Sequence, residues 1–383
     1  MEIKNAHFRD VRSVIESLTP GYPVFCLRPA EIERSAKMFL EHFPGRVLYA
    51  VKCNPHPVIL KSLYEAGIRH FDTASLSEVA LVRENFPDVD AYFMHPVKPR
   101  AAILSAHEVY GVAHWVIDHA RELDKLIDVT GPGNGQVVLV RIHTKPFGAV
   151  YELSDKFGCP VQDAISLLER VAKEGYQPGL AFHVGSQCRT PDAFRDAIAT
   201  VGEISKAAHT PIQYLDIGGG FPAAYLDDNP PELMEYVEVI KDSLAKINLR
   251  GDCVLMCEPG RGLVASGCSL LTQVQLRKDD ALYINDGIYH SLSETVDASI
   301  SYPFRTYRLE GNLSSETTAY TIYGPTCDSL DVIPYKIELP IDIEEGDWIE
   351  FGQIGAYSNS LSTQFNGFNP ETFVTVDEGP LVP

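Results

Sequence analysis

Val47-Leu48-Tyr49-Ala50-Val51-Lys52-Cys53-Asn54 is an apolar run of strand-forming residues that stops on a lysine. A run this short, without polar alternation, fits a strand covered on both faces, as in a parallel sheet. The pattern recurs from about residue 45 to 260, where short apolar runs alternate with longer amphipathic stretches. Strands are predicted at Val47–Val51, Ile68–Phe71, Ala91–Met94, His114–Ile117, Val137–Ile142, Leu180–His183, Ile212–Ile217 and Cys253–Cys257, which makes eight. Helices are predicted between them, among others Pro57–Glu65, Leu76–Asn85, Pro99–Val109, Val161–Glu174, Pro191–Ala208 and Pro231–Lys246. Several open on Pro, whose missing N–H costs nothing in a first turn. Eight strands with crossover helices predict an α/β fold with a (β/α)8 TIM-like barrel; a doubly wound open sheet is the alternative.

After residue 262 the texture changes. Ser269–Leu276, Ala281–Asn285, Phe304–Leu309, Thr318–Tyr323, Tyr335–Leu339 and Asp347–Gly352 are strand-like and separated by Gly, Pro, Asn and Asp, which predicts a C-terminal all-β domain. The expected organisation is an N-terminal segment, 1–27, whose strand-like Tyr22–Leu27 can join either part; a barrel, 28–262; and a β domain, 263–383.

The chain has 383 residues, 45% hydrophobic and 22% charged, which suits a large folded core and excludes a disordered or fibrous protein. Acidic residues outnumber basic ones by 52 to 32, giving a net charge of −20 with no Lys/Arg cluster. Nucleic acid is therefore not an expected partner, whereas a cationic substrate would be attracted. The N-terminal Met1-Glu2-Ile3-Lys4-Asn5 has no apolar signal region, and no apolar stretch reaches the roughly 18 residues that span a bilayer, so no membrane association and a cytoplasmic location are expected. The eight cysteines include Cys26, Cys253 and Cys257 in apolar runs, which reads as buried reduced thiols rather than a disulfide framework or a metal site.

In a barrel of this kind, catalytic groups come from the C-terminal ends of the strands. The residues predicted there are polar: Lys52, Asp72, His95, Arg141, His183, Asp216 with Gly218-Gly219-Gly220, and Glu258. An ammonium closing an apolar strand must be paired or have a depressed pKa, and a depressed pKa would make Lys52 a nucleophile toward carbonyl carbon. The glycine run offers backbone N–H groups to a phosphate, and Arg261 a countercharge. A lysine, a phosphate cradle and a strand-end carboxylate together suit pyridoxal phosphate, which has an aldehyde, a phosphate and a basic ring nitrogen.

These residues lie in stretches that resemble the fold-type III pyridoxal-phosphate decarboxylases of basic amino acids, the ornithine, lysine, arginine and diaminopimelate group that shares its barrel with alanine racemase. The stretches are Tyr49-Ala50-Val51-Lys52-Cys53-Asn54, Phe71-Asp72-Thr73-Ala74-Ser75 with Glu78, His183-Val184-Gly185-Ser186, Asp216-Ile217-Gly218-Gly219-Gly220-Phe221-Pro222, Glu258-Pro259-Gly260-Arg261, Gly324-Pro325-Thr326-Cys327-Asp328 and Gly355-Ala356-Tyr357. The Gly-Pro-Thr-Cys-Asp form is most similar to ornithine decarboxylases. The resemblance implies that Lys52 carries the cofactor, that His183 stacks on its ring and that Glu258 pairs with its nitrogen. It further implies that Gly219, Gly220, Ser186, Arg261 and Tyr357 hold the phosphate, with Asp72 and Arg141 nearby. It also implies a homodimer in which the β domain of one subunit completes the other's site in trans, Cys327 protonating the product carbon and Asp328 binding the distal ammonium. The implied reaction converts L-ornithine, and L-lysine, to putrescine or cadaverine and CO2, as in polyamine biosynthesis.

Asn285-Asp286-Gly287-Ile288-Tyr289 matches the family, and Tyr289 is expected to line the substrate end, but His290 follows where these enzymes usually carry Gly. Beyond it, either Glu294 or Asp297 could supply the second acid for the distal amine, and Phe365 is expected to wall the same pocket. A larger side chain at His290 leaves open a modified substrate, such as an N-acylated or citrylated ornithine of siderophore assembly. Two other classes compete. A racemase on this barrel would place Arg, not Glu258, at the pyridine nitrogen, and a decarboxylase-derived binding protein would have lost Lys52 or Cys327.

Overall fold

Eight parallel strands close into a barrel in chain order: Arg46–Ala50, His70–Thr73, Asp90–Phe93, His114–Ile117, Val137–Arg141, Gln177–Ala181, Tyr214–Asp216 and Val254–Cys257. The computed structural model describes residues 6–133, 135–144, 148–151 and 156–382. Each predicted barrel strand overlaps an observed one, so the closed barrel, not the open sheet, is the fold. The inward side chains Leu48, Tyr92, Val116, Leu139, Ala181 and Met256 form their own buried cluster, which makes the barrel interior packed core rather than pore. The surrounding helices are fixed by local signals. Ser75 caps Leu76–Asn85 by accepting from the Glu78 N–H at 3.2 Å while Glu78 accepts from the Ala74 N–H at 2.7 Å, so the Ser75 to Glu78 spacing works as a capping pair.

The second unit is a nine-stranded mixed sheet. Its long central strand Cys268–Lys278 pairs with Val24–Leu27 on one side and with Ala281–Ile284 and Trp348–Phe351 along its length. Val24–Leu27 thus lies in the β sheet, sandwiched between Cys268–Leu271 and Thr372–Thr375. The elements with no counterpart among the predicted ones include the strands His7–Phe8 and Thr372–Val376, and the helix Val11–Leu18, capped by Asp10 through Ser13. The helix lays Val11, Val14 and Ile15 on Val24, Cys26, Leu271 and Trp348, a core separate from the barrel's.

A buried ion pair ties the start of the barrel to this sheet. Arg28 donates to Glu350 at 2.9 Å, the two side chains being 3% and 0% exposed, and also to Ser269 Oγ and to the Cys26 and Glu378 carbonyls. Tyr307 donates to the second oxygen of Glu350 at 2.7 Å. Removing one member of such a network strands the other's charge in a medium that solvates it poorly. Glu350→Ala should therefore cost about 3–5 kcal/mol in urea unfolding, while a paired Arg28→Met, Glu350→Leu replacement should cost much less.

Candidate active site

The C-terminal ends of the barrel strands open into a cavity of about 460 Å³ lined by Lys52, Asp72, His95, Arg141, His183, Ser186, Gly220, Glu258, Arg261 and Tyr357, among others. Lys52 sits in the short turn Val51–Cys53 that ends the first strand, and its Nζ donates to Asp72 Oδ2 at 2.9 Å. Burial disfavours the ammonium, but the fields of Asp72 and Glu258 outweigh it and hold the Lys52 pKa above the ordinary lysine value. The sequence left two routes open, pairing or a depressed pKa, and the structure takes the first. In the cofactor-free protein Lys52 is a compensated cation, not a poised nucleophile.

Glu258 follows the eighth strand and Asp216 ends the seventh. Burial, then mutual repulsion and the charge of Asp72, raise the pKa of Glu258, while burial above all raises that of Asp216, to about 7. Asp216 Oδ1 accepts from the Gly218 N–H at 2.8 Å, and its buried Oδ2 meets no hydrogen-bond partner among the described residues. His183, deep in the barrel, accepts from the Gly185 N–H on Nδ1 at 3.0 Å. Burial, with Arg141 and Lys52 adding to it, pushes its pKa well down, so the neutral ring carries its proton on Nε2.

The glycine run is a cradle that side chains cannot enter. A Cβ on Gly219 would lie 2.6 Å from the Glu258 carbonyl and 3.1 Å from His183 Nε2; one on Gly220, at φ +104, would lie 2.5 Å from the Gly185 carbonyl. Arg261 stands beside it, its guanidinium carbon 5.2 Å from the Tyr357 ring. A cation, a hydroxyl-bearing ring and a bare backbone concavity around one cavity fit a phosphate. A ring-facing imidazole, a lysine and a buried acid fit the remainder of pyridoxal phosphate. The β domain holds this end in place: Asn54 donates to the Gly355 carbonyl at 2.9 Å and the Tyr357 N–H to the Cys53 carbonyl at 3.0 Å.

Cys327 and Asp328 lie elsewhere, on a second cavity with Asn285, Tyr323, Asp331 and Phe368. Tyr289 Oη donates to Asp328 Oδ2 at 2.6 Å and its ring meets Phe365 at 5.0 Å, so the structure brings Tyr289, Asp328 and Phe365 together. That bond, with the Leu330 N–H, keeps the Asp328 pKa below the usual carboxylate value. Three residues fall outside the predicted substrate pocket. Glu294 is buried and accepts two hydrogen bonds from Arg261, Asp297 faces solvent on the turn Glu294–Asp297, and His290 is 1% exposed, edge-on to Phe368. Burial lowers the His290 pKa, and its ring opens into neither cavity.

Sequence reasoning missed Asp331. Its Oδ1 accepts from the Ile288 N–H at 3.0 Å and its Oδ2 from the Thr326 N–H and Oγ, which staples the Tyr289 turn to the Cys327 loop. The signal was present as glycine: a Cβ at Gly287 or Gly324 would collide with this carboxylate. Phe157 was missed too; it lies against His95 and Arg141 at 5.2 and 5.5 Å, and only its place in the barrel mouth singles it out.

Comparison with known proteins agrees with this geometry. The pyridoxal-binding domain of the pyridoxal-dependent decarboxylases matches residues 29–265, and the chain belongs to that family. It is 30% identical over 360 residues to a lysine/ornithine decarboxylase of Selenomonas ruminantium, covering 91% of this chain and 88% of the relative. It is 33% identical to antizyme inhibitor 2 of Xenopus laevis, covering 88% and 77%. The crystal structure of an arginine decarboxylase from Paramecium bursaria Chlorella virus bound to agmatine superposes with TM-score 0.84 at 28% identity, covering 96% of this chain and 98% of that one. The protein is a pyridoxal-phosphate-dependent decarboxylase of basic amino acids. Among the described residues, no helix is long and apolar enough to cross a membrane and no group of residues is arranged to hold a metal.

The raised pKa of the buried Asp216 gives a signed prediction. A carboxyl whose native pKa is raised contributes stability that is full below its unfolded value and lost as pH rises through the native one. In cofactor-free protein, Asp216→Asn should therefore gain on wild type between pH 4 and 8, by on the order of 1–3 kcal/mol in urea unfolding. A difference that stays flat with pH would show that the Asp216 pKa is not raised in the folded protein.

Proposed function

We propose that this decarboxylase acts on L-ornithine, and on L-lysine as its longer homologue, releasing CO2 and putrescine or cadaverine. The observation that carries this reading is the Tyr289–Asp328 hydrogen bond at 2.6 Å beside Cys327. It presents a carboxylate held in its charged form to a cationic group at the far end of a substrate. The burial of His290 against Phe368 supports the same reading, because it removes the bulk that pointed to an N-substituted ornithine.

Bound pyridoxal phosphate supplies the electron sink for the pair left on Cα when CO2 departs. Lys52 carries it, and Asp72 takes up the charge of the lysine. Glu258 would pair with the protonated ring nitrogen, and Asp216 sets how readily Glu258 ionises. His183 would lie against the ring, and Gly219, Gly220, Ser186, Arg261 and Tyr357 would hold the phosphate; Arg141 adds positive charge to the barrel wall. Cys327, an exposed thiol, delivers a proton to Cα after CO2 loss. The cavity lined by Lys52 and the one lined by Cys327 and Asp328 share no residue, which supports completion of each site by a second copy in a two-fold homodimer.

The test is CO2 release, with the amine identified by mass spectrometry, from L-ornithine, L-lysine, L-arginine, meso-diaminopimelate and an N-acylated ornithine. Ornithine and lysine should be turned over; turnover of the acylated compound alone would overturn the assignment. Lys52→Ala should lose the visible absorbance of bound cofactor. Cys327→Ala should keep that absorbance and release CO2, with the diamine replaced by another product; a normal diamine yield takes Cys327 out of the protonation.

A further inference from the structure

Glu294 begins as a candidate for the substrate's distal amine, and the structure commits it elsewhere. It accepts from Arg261 at both oxygens, Nη2 to Oε1 at 2.6 Å and Nη1 to Oε2 at 2.9 Å, and both side chains are 2% exposed. Nη1 also donates to Tyr225 Oη at 2.8 Å, and the rings of Tyr225 and Tyr357 flank the guanidinium carbon at 5.9 and 5.2 Å. Ser186 Oγ is at 3.5 Å from Nη2, the outer limit of a hydrogen bond. Arg261 Nε is buried without an acceptor among the described residues. The arginine that lines the phosphate cup is thus fixed from behind by a carboxylate, with a donor left unspent.

We propose that Glu294 is a positioning residue for this cup: it fixes Arg261 and supplies the negative charge that a bound cofactor phosphate would otherwise have to bring. The proposal deepens the pyridoxal-phosphate reading of the site and rests on it. A guanidinium sealed from water and left unpaired strongly destabilises the fold around it. With Glu294 in place the empty cup is compensated and stands folded. The same pairing also weakens the pull on phosphate, because Arg261 presents a shared charge rather than a whole one. Stability without cofactor and grip on cofactor are therefore set against each other by a single carboxylate.

Glu294→Gln keeps the shape and removes the charge. Thermal melting of cofactor-free protein, alone and with inorganic phosphate, and equilibrium binding of inorganic phosphate and of pyridoxal phosphate, separate the possibilities. The expected result is a lower melting temperature when empty, a larger phosphate-induced rise than in wild type, and phosphate binding tighter by about three- to tenfold. Glu294→Asp, whose shorter arm weakens the pairing, should shift in the same direction by less, and it tests the proposal if the Gln variant does not fold. Phosphate binding that is unchanged or weaker in the variants overturns the proposal. An unchanged phosphate affinity together with a raised KM for the diamino acid returns Glu294 to the substrate. Wild-type protein that binds neither inorganic phosphate nor pyridoxal phosphate overturns the reading of the cup, and the proposal falls with it.

Discussion

An ammonium at the end of an apolar strand is the constraint from which the site follows. Lys52 leaves the first barrel strand into the cavity, and its charge is met by groups on neighbouring strands. Barrel closure supplies them: the first strand pairs with the second, which carries Asp72, and with the eighth, which leads into Glu258; the seventh, ending in Asp216, lies next along. Three acids gather around one lysine, and burial with repulsion from the other carboxylates raises the pKa of both Glu258 and Asp216. The result is a cluster in which Lys52 is held by Asp72 and the two buried acids Glu258 and Asp216 each set how readily the other ionises.

The phosphate end repeats this logic with the signs exchanged. Arg261 is the cation that requires an anion, and Glu294 meets it with both carboxylate oxygens. The β domain contributes to both ends without supplying the lysine or the cradle. It seats Tyr357 beside Arg261 and clamps the Cys53-Asn54 turn through Gly355. Its own functional cluster of Tyr289, Cys327 and Asp328 is held as one piece by Asp331, whose two oxygens bind the backbones of both loops. A single carboxylate therefore sets the spacing between the tyrosine and the acid it polarises.

The barrel was legible because each strand is an apolar run buried on both faces, and runs of that kind announce themselves without any partner. His114–Ile117 was placed to the residue, and the other strands shifted by one to three positions at an end. Thr372–Val376 alternates as an edge-adjacent strand should, but its partner Val24–Leu27 is at the opposite end of the chain, and five alternating residues alone carry little weight. Which residues stand at the barrel mouth could be read from strand ends, whereas the sign of the Lys52 shift depends on two carboxylates from other strands. The same holds for Glu294 and His290. Their positions after Tyr289 suggested substrate contact, and only the fold reveals that one turns back to Arg261 and the other into the Phe368 side of the sheet. Asp331 was invisible as chemistry because its partners are two backbone amides and a threonine hydroxyl.

Val24–Leu27 is fixed between Cys268–Leu271 and Thr372–Thr375, and Arg28 bonds to the Glu378 carbonyl 350 residues away. The barrel is made of neighbours in sequence and can form as it leaves the ribosome, one strand and helix at a time. The sheet that carries Cys327 cannot. Its second strand must wait, unpaired on one edge, until almost the whole chain has been made, so the lysine and its cradle are assembled well before the sheet is complete, and a chain cut short near its end would keep a finished barrel beside an open, apolar strand edge.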